Sequence, residues 1–130
     1  MTANPKRLTG DKGESFTVRY LKRRGWKILE RNYRKVFGEI DIIAQKGDLI
    51  AFVEVKTRRE NPLTQPYEAV DYRKRQRIIK TAAAYLAENE TDCFCRFDVS
   101  EVFINSSTLK PIKLNYIENA FETESGNAYY

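Results

Sequence analysis

The chain has 130 residues, of which 42% are hydrophobic and 32% charged, an ordinary globular composition with enough apolar residues for one buried core. It has no histidine, which excludes Ser-His-Asp and Cys-His catalysis, His-ligated zinc and any imidazole acid or base. The net charge of +5 is uneven: residues 1–37 carry +8, residues 38–87 carry +2 and residues 88–130 carry −5, so the first two thirds suit a polyanionic partner.

In chain order, residues 11–24 read as a helix. Asp11 and Glu14 have capping-box spacing, and Gly25 stops the run. Residues 26–33, 38–44 and 49–57 read as three strands rich in β-branched and aromatic residues, with Lys46-Gly47-Asp48 as a turn between the last two. Residues 58–66 contain two prolines and no apolar period, and read as an exposed loop of ligand-contacting length. A long helix pattern covers 67–89, with a break near Asp71. Strands follow at 93–104 and 112–117, separated by the turn residues Asn105-Ser106-Ser107. The order α-β-β-β-α-β-β predicts an α/β fold with a mixed central sheet flanked by helices. Residues 1–121 are expected to form a single domain, and 122–130 a flexible polar tail.

No apolar run approaches the roughly 18 residues of a membrane span, and residues 1–7 lack the apolar region of a secretory signal. Cytoplasm is the expected compartment, with no membrane partner. Cys93 and Cys95, one residue apart, are poorly placed for a mutual disulfide and read as reduced thiols. Neither G-x-x-x-x-G-K-[ST] nor G-x-G-x-x-G occurs, so nucleotide cofactors have no foothold.

The chemistry concentrates in residues 38–56. On alternating strands, Glu54 and Lys56 project from one face and Val53 and Val55 from the other. Asp41 is expected to share a face with Glu39 and Ile43, with Ile40 and Ile42 opposite. A hairpin can bring Asp41 to Glu54 and Lys56. Two carboxylates and an ammonium are what metal-assisted phosphodiester hydrolysis needs. The tripeptide alone carries little weight, since about one Glu-x-Lys arises by chance in a chain of this composition, and charges on a hairpin's polar face compete with the catalytic reading.

Two polar residues sit on expected apolar stripes. Glu14 aligns with Val18 and Leu21, and Gln76 with Ile79, Ala83 and Leu86. Each needs a partner if buried. Glu14 is read either as a partner of the hairpin carboxylates or as the third residue of a capping box, and Gln76 as a site residue, a strand-end cap or a snorkelling side chain. Basic residues Arg34, Lys35, Arg58 and Arg59 flank the carboxylate-bearing strands, with Arg73 and Lys74 on the following helix, and a nucleic-acid groove is the reading we favour.

Glu14, Asp41, Glu54-Val55-Lys56 and Gln76, in this order and spacing, resemble the PD-(D/E)xK nuclease superfamily and its restriction-endonuclease-like αβββαβ core. More narrowly, the stretches 38–44, 52–58, 95–99 and 116–121 resemble the YraN family of uncharacterised bacterial proteins related to Holliday-junction resolvases. Ile40 stands where the superfamily's leading proline would be. The resemblance implies Mg²⁺ or Mn²⁺ held by Asp41 and Glu54, the Val55 carbonyl and, directly or through water, Glu14. It implies that Lys56 orients or activates the attacking water, and that Gln76 orders the lysine or a phosphate. The implied activity is endonucleolytic cleavage of DNA, including branched or damaged structures, by a homodimer that cuts paired strands. The alternative is a non-catalytic nucleic-acid-binding module serving a DNA repair or recombination partner.

Overall fold

A computed structural model describes residues 5–60 and 70–123, with side chains from residue 10 onward. The elements are α1 (Pro5–Arg23), β1 (Lys27–Lys35), β2 (Gly38–Lys46), β3 (Leu49–Arg59), α2 (Tyr72–Glu88), β4 (Phe94–Ile104) and β5 (Pro111–Phe121). This is the order predicted from the sequence. The five strands form one sheet in the order β1-β2-β3-β4-β5. Every neighbouring pair is antiparallel except β3 and β4, which run parallel over Leu49–Arg59. A parallel pair needs a crossover, and α2 lies in the connection.

Helices cover both faces. On one, Val18 and Leu21 of α1 pack with Ile42, Ala44, Ala51 and Val53. On the other, Ile78, Ala82 and Tyr85 of α2 pack with Ile40, Ile43, Phe52, Phe97 and Val99. The rings of Phe52, Phe97 and Phe121 stack in series across β3, β4 and β5. Central strands apolar on both faces follow from this two-sided cover.

The ends of the elements have local causes. Helix α1 closes in a Schellman arrangement: Gly25 N–H reaches the Lys22 carbonyl, Trp26 N–H reaches the Leu21 carbonyl, and Gly25 takes φ +87. The break expected near Asp71 is the start of α2, where the Asp71 carboxylate accepts from Lys74 N–H at 2.9 Å. Asn105 turns the chain into β5 by accepting from Ser107 and Thr108 N–H. The outer strands β1 and β5 each carry an asparagine in the left-handed region, Asn32 at φ 53 and Asn119 at φ 51.

Three expectations need correction. Helix α1 begins at Pro5, so Asp11 and Glu14 lie within it and form no capping box at its start. The buried residues of α2 are Ile78, Thr81, Ala82 and Tyr85. Gln76 is half-buried and Ala83 exposed, while Ile79 and Leu86 sit at the margin, lining with Cys93 and Cys95 an apolar hollow of about 500 Å³. The large aliphatics drew the predicted stripe aside because small Thr81 and Ala82 allow the closer approach. Finally, Ile40 and Ile42 do not share a face: Ile40 packs toward α2 and Ile42 toward α1. The pleat alternation fails across Asp41, which lies opposite the left-handed Asn32 between the pairs Arg31↔Ile42 and Tyr33↔Ile40.

The 61–66 part of the expected ligand-contacting loop and residues 124–130 of the expected tail lie outside the described residues. Cys93 and Cys95 are free thiols. No helix among the described residues is long and apolar enough to cross a membrane.

Candidate functional site

The β2–β3 ladder ends at Ile42↔Val53. The next pair in that register is Asp41 and Glu54, placed where the strands part. Val55 N–H donates to Asp41 Oδ2 at 2.8 Å, so a carboxylate takes the place of a ladder carbonyl. The N–H and C=O of a residue in a strand point to the same edge, which puts the Val55 carbonyl on the Asp41 side. Glu54 lies on the α2 face with Phe52, and Lys56 follows two residues on. Val53 and Val55 pack toward α1, the alternation expected for β3.

Burial dominates the electrostatics. Glu54 is 9% exposed. Burial first, then the negative charge of Asp41, pushes its carboxyl up to about 7, against the pull of Lys74. Burial also raises Asp41, while the Val55 amide and a hydrogen bond from Glu54 oppose the rise. The pair thus keeps a proton to higher pH than two exposed carboxylates would. Glu14, on the buried side of α1, is raised by burial and by Asp41, and is steadied by Asn32 Nδ2 at 3.1 Å and Arg31 at 3.6 Å.

Two adjacent carboxyls and a carbonyl edge are hard oxygen donors, the set that suits Mg²⁺ or Mn²⁺ with water and phosphate completing the shell. Among the described residues, no three Asp, Glu or Cys side chains converge on one point. Glu14 therefore stands beside the pair, within its field, without completing a three-carboxylate cage.

Glu54 also lines a cleft of about 1000 Å³ between the β1–β2 turn and the first turns of α2. Gln76, Arg34, Lys35, Arg73 and Lys74 line it too, so six of the residues singled out in the sequence share one hollow. Their states differ. Arg34 pairs with Glu39 at 2.7 Å and Lys35 with Glu88 at 2.7 Å. Lys74 Nζ lies 3.1 Å from Glu54 Oε1, and Arg73 is exposed.

Arg58 is placed differently from the groove residues expected alongside it. Its Nε lies 3.1 Å from Glu101 Oε2, with Arg58 19% exposed and Glu101 3%. Asn115 donates to the other Glu101 oxygen at 3.3 Å. Arg59 is exposed at the end of β3. Sequence reasoning missed Glu101 and its strand neighbour Asp98. The buried Asp98 accepts from Arg96 at 2.8 Å, Tyr116 OH at 2.7 Å and Asn119 N–H at 2.9 Å. The available signal was a pair of acids in an otherwise apolar strand, Asp98-Val99-Ser100-Glu101-Val102.

These features define a mixed-sheet α/β protein, with two helices among the described residues and a buried carboxylate pair at a strand split beside a basic cleft. The chain belongs to Uncharacterised protein family UPF0102, whose model matches residues 13–102. It is 47% identical over 113 residues to a UPF0102 protein of Alkaliphilus metalliredigens, covering 86% of this chain and 96% of that one. A UPF0102 protein of Caldanaerobacter subterraneus is 44% identical over 117 residues, covering 89% and 96%. One of Chlorobium phaeobacteroides is 42% identical over 128 residues, covering 95% and 100%. An uncharacterised family of this kind agrees with the YraN-like resemblance.

Proposed function

We propose that the protein is a metal-dependent endonuclease that hydrolyses DNA phosphodiester bonds. The observation that carries this reading is the Asp41–Glu54 pair at the end of the β2–β3 ladder, with Glu54 opening onto a cleft walled by arginines and lysines. A cation bound between two buried, adjacent carboxyls would favour their deprotonated form, and the basic wall is suited to phosphate. Asp41, Glu54 and the Val55 carbonyl would hold Mg²⁺ or Mn²⁺, with Glu14 supporting Asp41 from α1. Bound there, the ion would supply Lewis-acid polarisation of a phosphoryl oxygen. Lys56, on the face of Glu54, orients the attacking water and offsets charge gathering on the phosphate. Gln76 and Arg73 position the backbone along the cleft.

Branched or damaged DNA is the substrate class carried by the resemblance, and a homodimer would present the two sites that paired cuts need. The test compares wild type with Asp41→Asn and Lys56→Ala on labelled single-stranded, duplex, flap and four-way-junction DNA, each with Mg²⁺, Mn²⁺ or EDTA. Cleavage that requires metal and falls at least about 100-fold in both variants is expected. Full cutting by Asp41→Asn overturns the assignment. Binding without cutting in every condition favours the non-catalytic module acting with a repair or recombination partner.

A further inference from the structure

We propose that Lys74 is a placeholder cation: its ammonium occupies the Glu54 carboxylate until a divalent metal displaces it, and it then moves onto a DNA phosphate in the same cleft. The inference rests on the nuclease reading and adds a control step to that site.

Three observations single out this lysine. Its Nζ lies 3.1 Å from Glu54 Oε1, and Glu54 is the member of the pair that opens onto the cleft. Two other cations on the wall are turned elsewhere, Arg34 to Glu39 and Lys35 to Glu88. The partners are also unequally held: the Glu54 side chain is 9% exposed and that of Lys74 51%. The carboxylate is therefore fixed in the split between strands, whereas the ammonium comes in from solvent on a flexible stem. The backbone at its base is pinned, because Lys74 N–H is held by the Asp71 cap. Displacement thus moves only the stem, leaving its root on the cleft wall beside Arg73.

An ammonium and a hydrated divalent ion compete for the same carboxylate oxygens, and the apparent metal affinity is the intrinsic one multiplied by the fraction of molecules in which the lysine has left. The coupling is reciprocal, so a phosphate that holds the released ammonium makes room for metal, and metal makes an ammonium available to phosphate. Metal and DNA then favour the same arrangement, and neither alone assembles the site fully.

The test is calorimetric titration with Mn²⁺, without DNA, of wild type, Lys74→Ala, Arg77→Ala and Asp41→Asn. Arg77 lines the same cleft and controls for loss of one positive charge. Lys74→Ala is expected to bind Mn²⁺ about tenfold more tightly than wild type, with Arg77→Ala within about twofold of wild type. Equal gains in the two variants, or no gain in Lys74→Ala, overturn the proposal, since a general field would then account for the effect. Undiminished binding by Asp41→Asn, or none by any form, instead overturns the metal-site reading beneath it. A second arm measures anisotropy of a labelled duplex in EDTA and in Ca²⁺. Calcium should tighten binding to wild type more than to Lys74→Ala, and equal gains overturn the transfer to phosphate.

Discussion

Arg58 and Glu54 illustrate two fates of a charged residue on one face of one strand. Arg58 neutralises Glu101, whose side chain is 3% exposed. Removing one partner of a buried pair strands the other, so Arg58→Ala should cost about 3 kcal/mol and lower Tm by roughly 10 °C. Combining Arg58→Met with Glu101→Gln removes the stranded charge and should recover most of the loss. A thermal melt of the three proteins decides this, and no change in Arg58→Ala would show that the pair is dispensable. Glu54 has the opposite character. Its folded value of about 7 lies above the ordinary 4.5, so the folded state keeps a proton that the unfolded chain has lost. Without metal, stability should therefore fall as pH rises from about 4.5 to about 7, then level off. Melts in EDTA across that range should show the slope, and Glu54→Gln should flatten it. Because metal needs the deprotonated pair, Mn²⁺ affinity should rise over the same interval. Glu54 and Lys56 could be placed on one face from the sequence because a strand's two-residue period fixes which side chains share a face, whereas Asp41 lies where that alternation fails. The Lys74–Glu54 and Arg58–Glu101 contacts were not legible there, since they join elements whose relative placement no local period encodes.

At the scale of elements, α2 and the start of β2 approach closely beside the cleft. A Cβ on Gly38 would lie 2.7 Å from Thr81 Oγ1 and 3.1 Å from the Arg77 carbonyl oxygen. The hydroxyl can be removed but the helix backbone cannot yield. Gly38→Ala should destabilise by about 1–3 kcal/mol, and Thr81→Ala in the same chain should restore only part of it. Full tolerance in a denaturant melt would mean that the two elements slide apart freely. Two boundaries were read well from turn chemistry, Gly25 and Asn105, whereas Asp71, read as a break within a longer helix, is the N-cap of α2. The start of α1 was missed because Asp11 and Glu14 imitate a cap inside a helix. The packed face of α2 was missed because Thr81 and Ala82 owe their burial to tight approach and not to hydrophobicity.

Over the whole molecule, charge is sorted by location. The basic cleft between the β1–β2 turn and α2 faces solvent, while Arg96 and Arg58 serve buried acids on β4. Duplex binding should therefore weaken steeply with salt. Arg73→Ala should lower the slope of log K against log salt by about 1, and Arg58→Ala, measured below its melting range, should leave it unchanged. Salt-independent binding would remove the cleft from consideration. The α-β-β-β-α-β-β order and mixed sheet were visible in the sequence. Which basic residues reach the cleft depended on the tertiary arrangement of the strands and α2.

The two left-handed asparagines bear on how the protein behaves at high concentration. A five-stranded sheet leaves two edges whose unpaired backbone groups could recruit another chain. Asn32 interrupts one edge, and Asn119 sits within a register shift of the other, its N–H spent on Asp98. A bent edge offers no long, flat template, so neither side of the sheet invites extension into fibrils. Edge-to-edge pairing through β1 or β5 is accordingly disfavoured.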